Sequence, residues 1–226
     1  MSNFVTRRRV LRGGFALAGL TLAGCSTTTT SRAPVGAPEQ PRVDASFLQN
    51  YGPRSQEQFP LPAIDPRVLA PKFRRQRISY RSSEAPGTVI VDTRDFYLYL
   101  VEPSGTAMRY GVGLGRQGFE WSGRARIAWK RPWPTWTPPD EMIAREPELE
   151  KYSARNGGMQ PGLGNPLGAR ALYIFQGNVD TLYRLHGTNE PASIGKAVSS
   201  GCVRLINQDV IDLFDRVRPG AAIVVT

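Results

Sequence analysis

At 226 residues the chain has room for one domain, or for one domain and a tail, but not for two full cores. Its composition, 40% hydrophobic and 21% charged, is that of a globular protein, and 23 Gly with 19 Pro favour turns and short strands over long helices, so the body is expected to be β-rich. A net charge of +10 brings nucleic acid in as a candidate partner, which the N-terminus then makes remote.

The stretch "TRRRVLRGGFALAGLTLAGC" has a basic start, a short apolar run and small residues before a cysteine. It is shorter than the roughly 20 apolar residues a membrane-spanning helix needs. Thr6 to Arg12 resembles a twin-arginine export signal, and Leu22-Ala23-Gly24-Cys25 resembles the lipobox at which a bacterial lipoprotein is cleaved and acylated on its cysteine. Residues 1–24 are therefore expected to be an export signal and Cys25 a lipidation site, the alternative being a plain secretory signal cleaved near Cys25. Ser26 after the cysteine resembles lipoproteins sorted to the outer membrane. Loss of the segment takes four arginines with it, leaving 25 Lys and Arg against 19 Asp and Glu, a charge of about +6. An exported protein of that charge meets anionic cell-wall peptides and lipids rather than nucleic acid.

Beyond Cys25 the chain is rich in Ser, Thr, Pro and Gly and reads as a tether over residues 25–77. The isolated aromatic and apolar residues of "NYGPRSQEQFPLPAIDPRVLAPKF" leave two options, docking on the body or a loose linker. The basic run Lys72 to Arg81 reads as a solvated face.

A folded body is expected over residues 78–226. Thr88 to Asp92 and Phe96 to Val101 are β-branched and aromatic runs around a polar break, which signals a hairpin, and "AMRYGVGLG" after the turn at Glu102 to Gly105 reads as a third strand. From Trp121 to Pro139 all four tryptophans, Trp121, Trp129, Trp133 and Trp136, are interleaved with prolines. Prolines exclude both a helix and a central strand there, so this stretch is expected to be an ordered loop displaying rings, one or two of them buried instead. "EMIAREPELEKYSARNGG" has room for a short helix. "ARALYIF" and "TLYRLHG" read as two strands around Gly177-Asn178, with His186 at a strand end. The apolar spacing of Val210, Ile211, Leu213, Phe214 and Val217 predicts a helix, with Asn207 as N-cap and Pro219-Gly220 as its stop, before a final strand "AAIVVT".

His186 is the only histidine, and with Cys25 lipidated Cys202 has no disulfide partner in the chain. One Cys and one His cannot make a structural zinc site, which takes four such ligands, and no cofactor is indicated. A thiolate with an imidazole beside it is the nucleophile and base of covalent acyl transfer. Ser199, Ser200, Gly201 and Gly187 are small enough for a substrate carbonyl to approach, and the N–H groups of Gly201 and Cys202 have the chemistry of an oxyanion hole. From the residues alone, catalysis and chance stay open, because a lone Cys is often a small buried hydrophobe and a lone His a structural donor.

The stretch "HGTNEPASIGKAVSSGCVRL" resembles the signature of the YkuD-type L,D-transpeptidases: His-Gly, then Ile-Gly, then Ser-x-Gly-Cys followed by an apolar residue and Arg or Asn. The likeness extends over "PGTVIVDTRDFYLYLVEP", "YGVGLGRQGFEWSG", "PTWTPP" and "NPLGARALY", roughly Ile78 to Thr226. Many members carry a second histidine where this chain has Ser200, and often Asn where it has Arg204. The resemblance implies a mainly β sandwich or barrel with one or two short helices, acting on peptidoglycan stem peptides. Cys202 is then the nucleophile, His186 the base, Gly201 and Cys202 the oxyanion donors, and Ser200 and Gly187 supports. Arg204 is a candidate partner for a stem carboxylate or a structural tie to its loop, and Tyr183 and Trp136 are candidate pocket walls. The acyl acceptor would be another stem, an envelope protein or water. A non-catalytic wall-binding lipoprotein and a cysteine peptidase are the competing classes.

Overall fold

The computed structural model describes residues 45–115, 122–199 and 202–226. The expected export signal, Cys25 and the first part of the expected tether lie outside these residues, as do Trp121, Ser200 and Gly201.

Eleven strands and three short α-helices make up the described chain: α1 (Ala45–Tyr51), β1 (Gln76–Ser79), β2 (Val89–Asp92), β3 (Tyr97–Glu102), β4 (Thr106–Gly111), β5 (Leu114–Gly115), β6 (Gly123–Pro132), α2 (Asp140–Arg145), β7 (Arg170–Gln176), β8 (Val179–Thr188), β9 (Ala197–Ser199), β10 (Val203–Ile206), α3 (Asn207–Arg216) and β11 (Ala222–Val225). Nine strands form one mixed sheet in the order β1-β4-β3-β2-β11-β6-β7-β8-β10, and β5 pairs with β9. The expected β2–β3–β4 meander is antiparallel, as its short turns require, whereas β11 on β2 and β10 on β8 are parallel and return from far along the chain. Edge strand β10 is not left open. Arg204 exchanges both backbone hydrogen bonds with Gly113, just after β4, at 2.8 and 2.9 Å, which rolls the sheet toward a closed barrel.

Inward-facing Val89, Val91, Leu98, Ile127, Leu172, Ile174, Leu185, Val203, Leu205 and Ile223 meet in one core, which Val210 and Leu213 of α3 and Val217 just after it complete. At about 25 cal/mol per Å² of apolar surface removed from water, this cluster is the main stabilising term of the fold.

Three sequence expectations change. First, the Trp-Pro stretch is not a loop throughout: its first half is β6, ten residues long and central between β11 and β7. Residues 123–131 contain no proline, and Pro132 is the last residue of the strand, where a missing N–H is tolerated. A bulge between Ile127 and Trp129 inserts one extra residue. Ile127 faces the core, and the extra residue turns Trp129 outward beside its partner Tyr173 rather than inward with Ile127. Trp133, in contrast, is buried with Leu61 and Ala169.

Second, Asn207 is the first helical residue of α3, not its N-cap; its side-chain oxygen instead accepts the Ala169 N–H at 2.8 Å. The other end of α3 is capped from β6, where Lys130 donates to the carbonyls of Phe214 and Val217, a cation at the negative end of the helix dipole.

Third, residues 45–77 are packed chain rather than loose linker, the docking alternative of the sequence reading. Phe47, Tyr51, Leu69 and Phe73 form a second cluster with Ile194 and Ile206. Glu57 accepts hydrogen bonds from Trp133 Nε1 (2.9 Å) and from both Arg170 Nη atoms (2.8 and 2.7 Å). The run Lys72 to Arg81 is not a simple solvated face either. Arg75 is buried and pairs with Asp212 at 3.1 Å and Asp209 at 3.8 Å, so a charge that reads as surface holds the segment to the first turns of α3.

Candidate active site

The parallel register of β8 with β10 aligns Leu185 with Val203 and His186 with Arg204. Side chains alternate along a strand, so Leu185, Val203 and Leu205 point into the core while His186, Arg184 and Arg204 lie on the opposite face. Cys202 immediately precedes β10; continued by one residue, the register places it beside Arg184 and diagonally across from His186. Two strands ~4.8 Å apart, offset by two residues, bring those Cα atoms within about 8 Å. A pair separated by fifteen intervening residues is thus joined by one parallel ladder.

His186 is 5% exposed, and its Nδ1 lies 2.7 Å from the Gly187 carbonyl oxygen. Burial pulls its pKa down to about 4; the carbonyls of Gly187 and Pro166 oppose that shift, and Arg204 and Arg184 add to it. At neutral pH the ring is uncharged and keeps one lone-pair nitrogen, the form that can take up a proton. Cys202 is half-buried, its Sγ 3.9 Å from the Leu182 carbonyl oxygen. Burial pushes its thiol above the ordinary range, opposed by the Arg184 backbone N–H and by the Arg184 and Arg204 charges. A proton acceptor and a thiol thus share one face under two arginines, which is the arrangement for nucleophilic attack on an acyl carbon with local stabilisation of the anion.

Arg204 Nη1 pairs with Glu190 at 3.0 Å, and its backbone holds Gly113, so the residue is tied on both sides. Gly187 serves a different need from the substrate approach expected of it: a Cβ there would run into the Asn207 side-chain oxygen and Val210 of α3 on the core side. Tyr183, one residue before Arg184, packs against the core cluster rather than on the His186 face. Trp136 bridges to Met159 through both backbone hydrogen bonds (3.0 and 2.7 Å), and the buried Asn165 amide ties the two stretches together by donating to Pro134, Met159 and Gln160 carbonyls. That loop continues to Pro166 beside His186, so Trp136 is tied by its backbone to the stretch that leads there. Ser200 and Gly201 lie outside the described residues.

Sequence reasoning missed Arg184 and its setting. Asp180 grips its guanidinium through two bonds of 2.6 and 2.8 Å, and the guanidinium carbon lies 4.4 Å from the Tyr173 ring centre. The period-two spacing of Arg184 and His186 was the available signal. No group of three or more metal-ligating side chains occurs among the described residues. Nor does any helix there have the length and apolarity to cross a membrane.

A family model described as the L,D-transpeptidase catalytic domain, YkuD, matches residues 86–225. The probable L,D-transpeptidase ErfK/SrfK of Escherichia coli K12 is 33% identical over 170 residues, covering 69% of this chain and 50% of that protein. The probable L,D-transpeptidase YbiS of the same strain is 34% identical over 142 residues, covering 60% and 43%. The chain therefore spans about half the length, or less, of these curated relatives. Among solved structures, one described as a probable carnitine operon oxidoreductase caia from Brucella melitensis is 49% identical, covering 68% of this chain and 93% of that one with a TM-score of 0.49.

Proposed function

This chain belongs to the YkuD family of L,D-transpeptidase catalytic domains, and from that premise we propose that it is a peptidoglycan L,D-transpeptidase with Cys202 as nucleophile and His186 as base. The observation that carries the reading is the placement of these two residues on one face of adjacent parallel strands, under Arg184 and Arg204.

In the first half-reaction the Cys202 thiol gives its proton to His186, and sulfur attacks the carbonyl between the third residue of a tetrapeptide stem, a diaminopimelate, and the terminal D-alanine. The Gly201 and Cys202 N–H groups receive the developing oxyanion, with Ser200 as a support. As the tetrahedral centre collapses, the C–N bond breaks, His186 returns the proton to the departing amine, and D-alanine leaves a thioester on Cys202. An amine then attacks the thioester carbonyl, the new amide forms, and the thiol is regenerated. The side-chain amine of a second stem gives a cross-link, an amine of an envelope protein gives anchoring, and water in its place makes the enzyme a carboxypeptidase. The substrate places the reaction in the periplasm, consistent with the twin-arginine pattern and with a lipid on Cys25 holding the enzyme at the outer membrane.

Incubation of the full chain with disaccharide tetrapeptide, followed by mass spectrometry, tests the reaction. The expected result is release of D-alanine and a disaccharide-tripeptide acyl adduct on Cys202, both absent in Cys202→Ala. No release by the wild type sinks the reading and returns the non-catalytic wall-binding alternative, and equal release by Cys202→Ala sinks Cys202 as the nucleophile.

A further inference from the structure

The face that carries Cys202 continues across three more strands, with residues in register. Tyr173 on β7 pairs with Arg184 on β8, and Trp129 on β6 pairs with Tyr173, so Cys202, Arg184, Tyr173 and Trp129 form one cross-strand row. The next row holds Arg204, His186, Ala171 and Arg131. Within the first row the Trp129 and Tyr173 rings are stacked, centroids 3.4 Å apart and planes within 12°. Arg184, held by Asp180, lies over the Tyr173 ring, and Arg131 lies 5.8 Å from the Trp129 centroid. Tyr173 is only 8% exposed, yet Trp129 keeps 39% of its surface in solvent. A rigid indole on a central strand, put outward by a bulge, backed by a second ring and left open, is a stacking platform rather than core.

We infer that Trp129, on its Tyr173 support, is a glycan subsite that receives a sugar ring of the strand bearing the donor stem. The inference rests on the stem-peptide reading above and adds the part of the substrate beyond the peptide. The lengths agree. Three inter-strand spacings put Trp129 about 14 Å from Cys202. A stem acylated at its third residue extends about 10 Å back to its first. There the stem joins the sugar through a lactyl arm that covers the remaining distance. The chemistry agrees as well. A pyranose presents a face of C–H groups that packs on an indole ring, and the free carboxylate of the second stem residue passes Arg184 and Arg131 on the way. Arg131 is exposed and makes no ion pair among the described residues.

Binding of stem-free glycan strands to the full-length Cys202→Ala protein, measured by calorimetry, tests the subsite independently of catalysis. Adding Trp129→Leu is expected to weaken binding about fivefold or more, and Trp129→Tyr to recover most of it. Equal binding by all three proteins, or no glycan binding by Cys202→Ala alone, overturns the inference. In the unsubstituted fold the Trp129 indole N–H resonance is expected to shift on titration with the same glycan; an unmoved resonance also overturns it, whatever the variants do to folding. A parallel assay compares kcat/KM for disaccharide tetrapeptide with that for the sugar-free tetrapeptide, a preference that Trp129→Leu should diminish. Absence of D-alanine release from both substrates would defeat the transpeptidase reaction while the calorimetry still decides the glycan subsite.

Discussion

The Asn207 side-chain oxygen occupies the volume that a Cβ on Gly187 would need, and it holds the Ala169 N–H at 2.8 Å in doing so. The glycine beside the candidate base therefore sets how closely α3 approaches β8, and α3 is what closes the core beneath the site. Gly187→Ala is expected to destabilise the protein by about 1–3 kcal/mol, the usual cost of forcing extra volume into a packed interior. Urea unfolding measures it. Asn207→Ala would leave the buried Ala169 N–H without its acceptor and cost about 1–3 kcal/mol by itself. Because the two changes act on one contact, the double variant should be more stable than the sum of the single losses predicts, and strict additivity would refute the shared contact.

The second prediction concerns pH. His186 has a folded pKa of about 4 against 6.5 in the unfolded chain, so between these values the unfolded state binds the extra proton. Its contribution to stability is therefore complete above pH 6.5 and is lost as pH falls from about 6.5 to about 4. The shift corresponds to roughly 3 kcal/mol as an order of magnitude. Other groups titrate in the same range, among them the buried Asp209, which burial pushes up to about 7, so the comparison is wild type against His186→Gln. The variant is expected to lose less stability between pH 7 and pH 4.5. Parallel stability curves would mean that the His186 pKa is the same in the folded and the unfolded chain.

A third prediction follows from the packing of residues 45–77. A chain beginning at residue 45 should unfold cooperatively near the temperature of the full chain, whereas one beginning at 78 loses β1's first strand residues, the Phe47–Tyr51–Phe73 cluster and the Glu57 anchor together. Exposure of Ile206 and of the unpaired Arg170 is expected to lower the melting temperature strongly or to abolish a cooperative transition. Equal melting of the two chains would show that residues 45–77 add nothing to the body.

How far the sequence reveals this molecule depends on the range of the interactions involved. The β2–β3 hairpin, β7 and β8 were legible because β-branched and aromatic runs flank short turns, a local signal. β6 was not, since prolines that begin at its last residue were allowed to characterise the whole stretch. Four-residue β10, wedged between Cys202 and α3, carries too little pattern to stand out, yet its pairing with β8 is what joins the two candidate catalytic residues. Residues 45–77 read as a tether because their apolar side chains are spaced singly; only the surface they land on, built from residues distant in sequence such as Trp133, Ile194 and Ile206, makes them core. Cys202 and His186 were found by type and by family resemblance, whereas Arg184 needed the register.

That register gives Arg184 a measurable role at the candidate nucleophile. Its charge and backbone N–H both draw the Cys202 thiol pKa down against the effect of burial, while Asp180 fixes the guanidinium through two bonds and Tyr173 carries it from below. Arg184→Met removes the charge, keeps a similar apolar stem and leaves the backbone N–H in place, so the thiol should titrate at higher pH than in the wild type. The rate of iodoacetamide alkylation at Cys202 as a function of pH reads this directly, because only the thiolate reacts. Arg204→Met is a second charge removal on the same thiol and is expected to add to the shift, with Glu190 freed in the process. If the alkylation profile of Arg184→Met overlays that of the wild type, Arg184 is only a structural partner of Tyr173, and the nucleophile is set by groups nearer to Cys202.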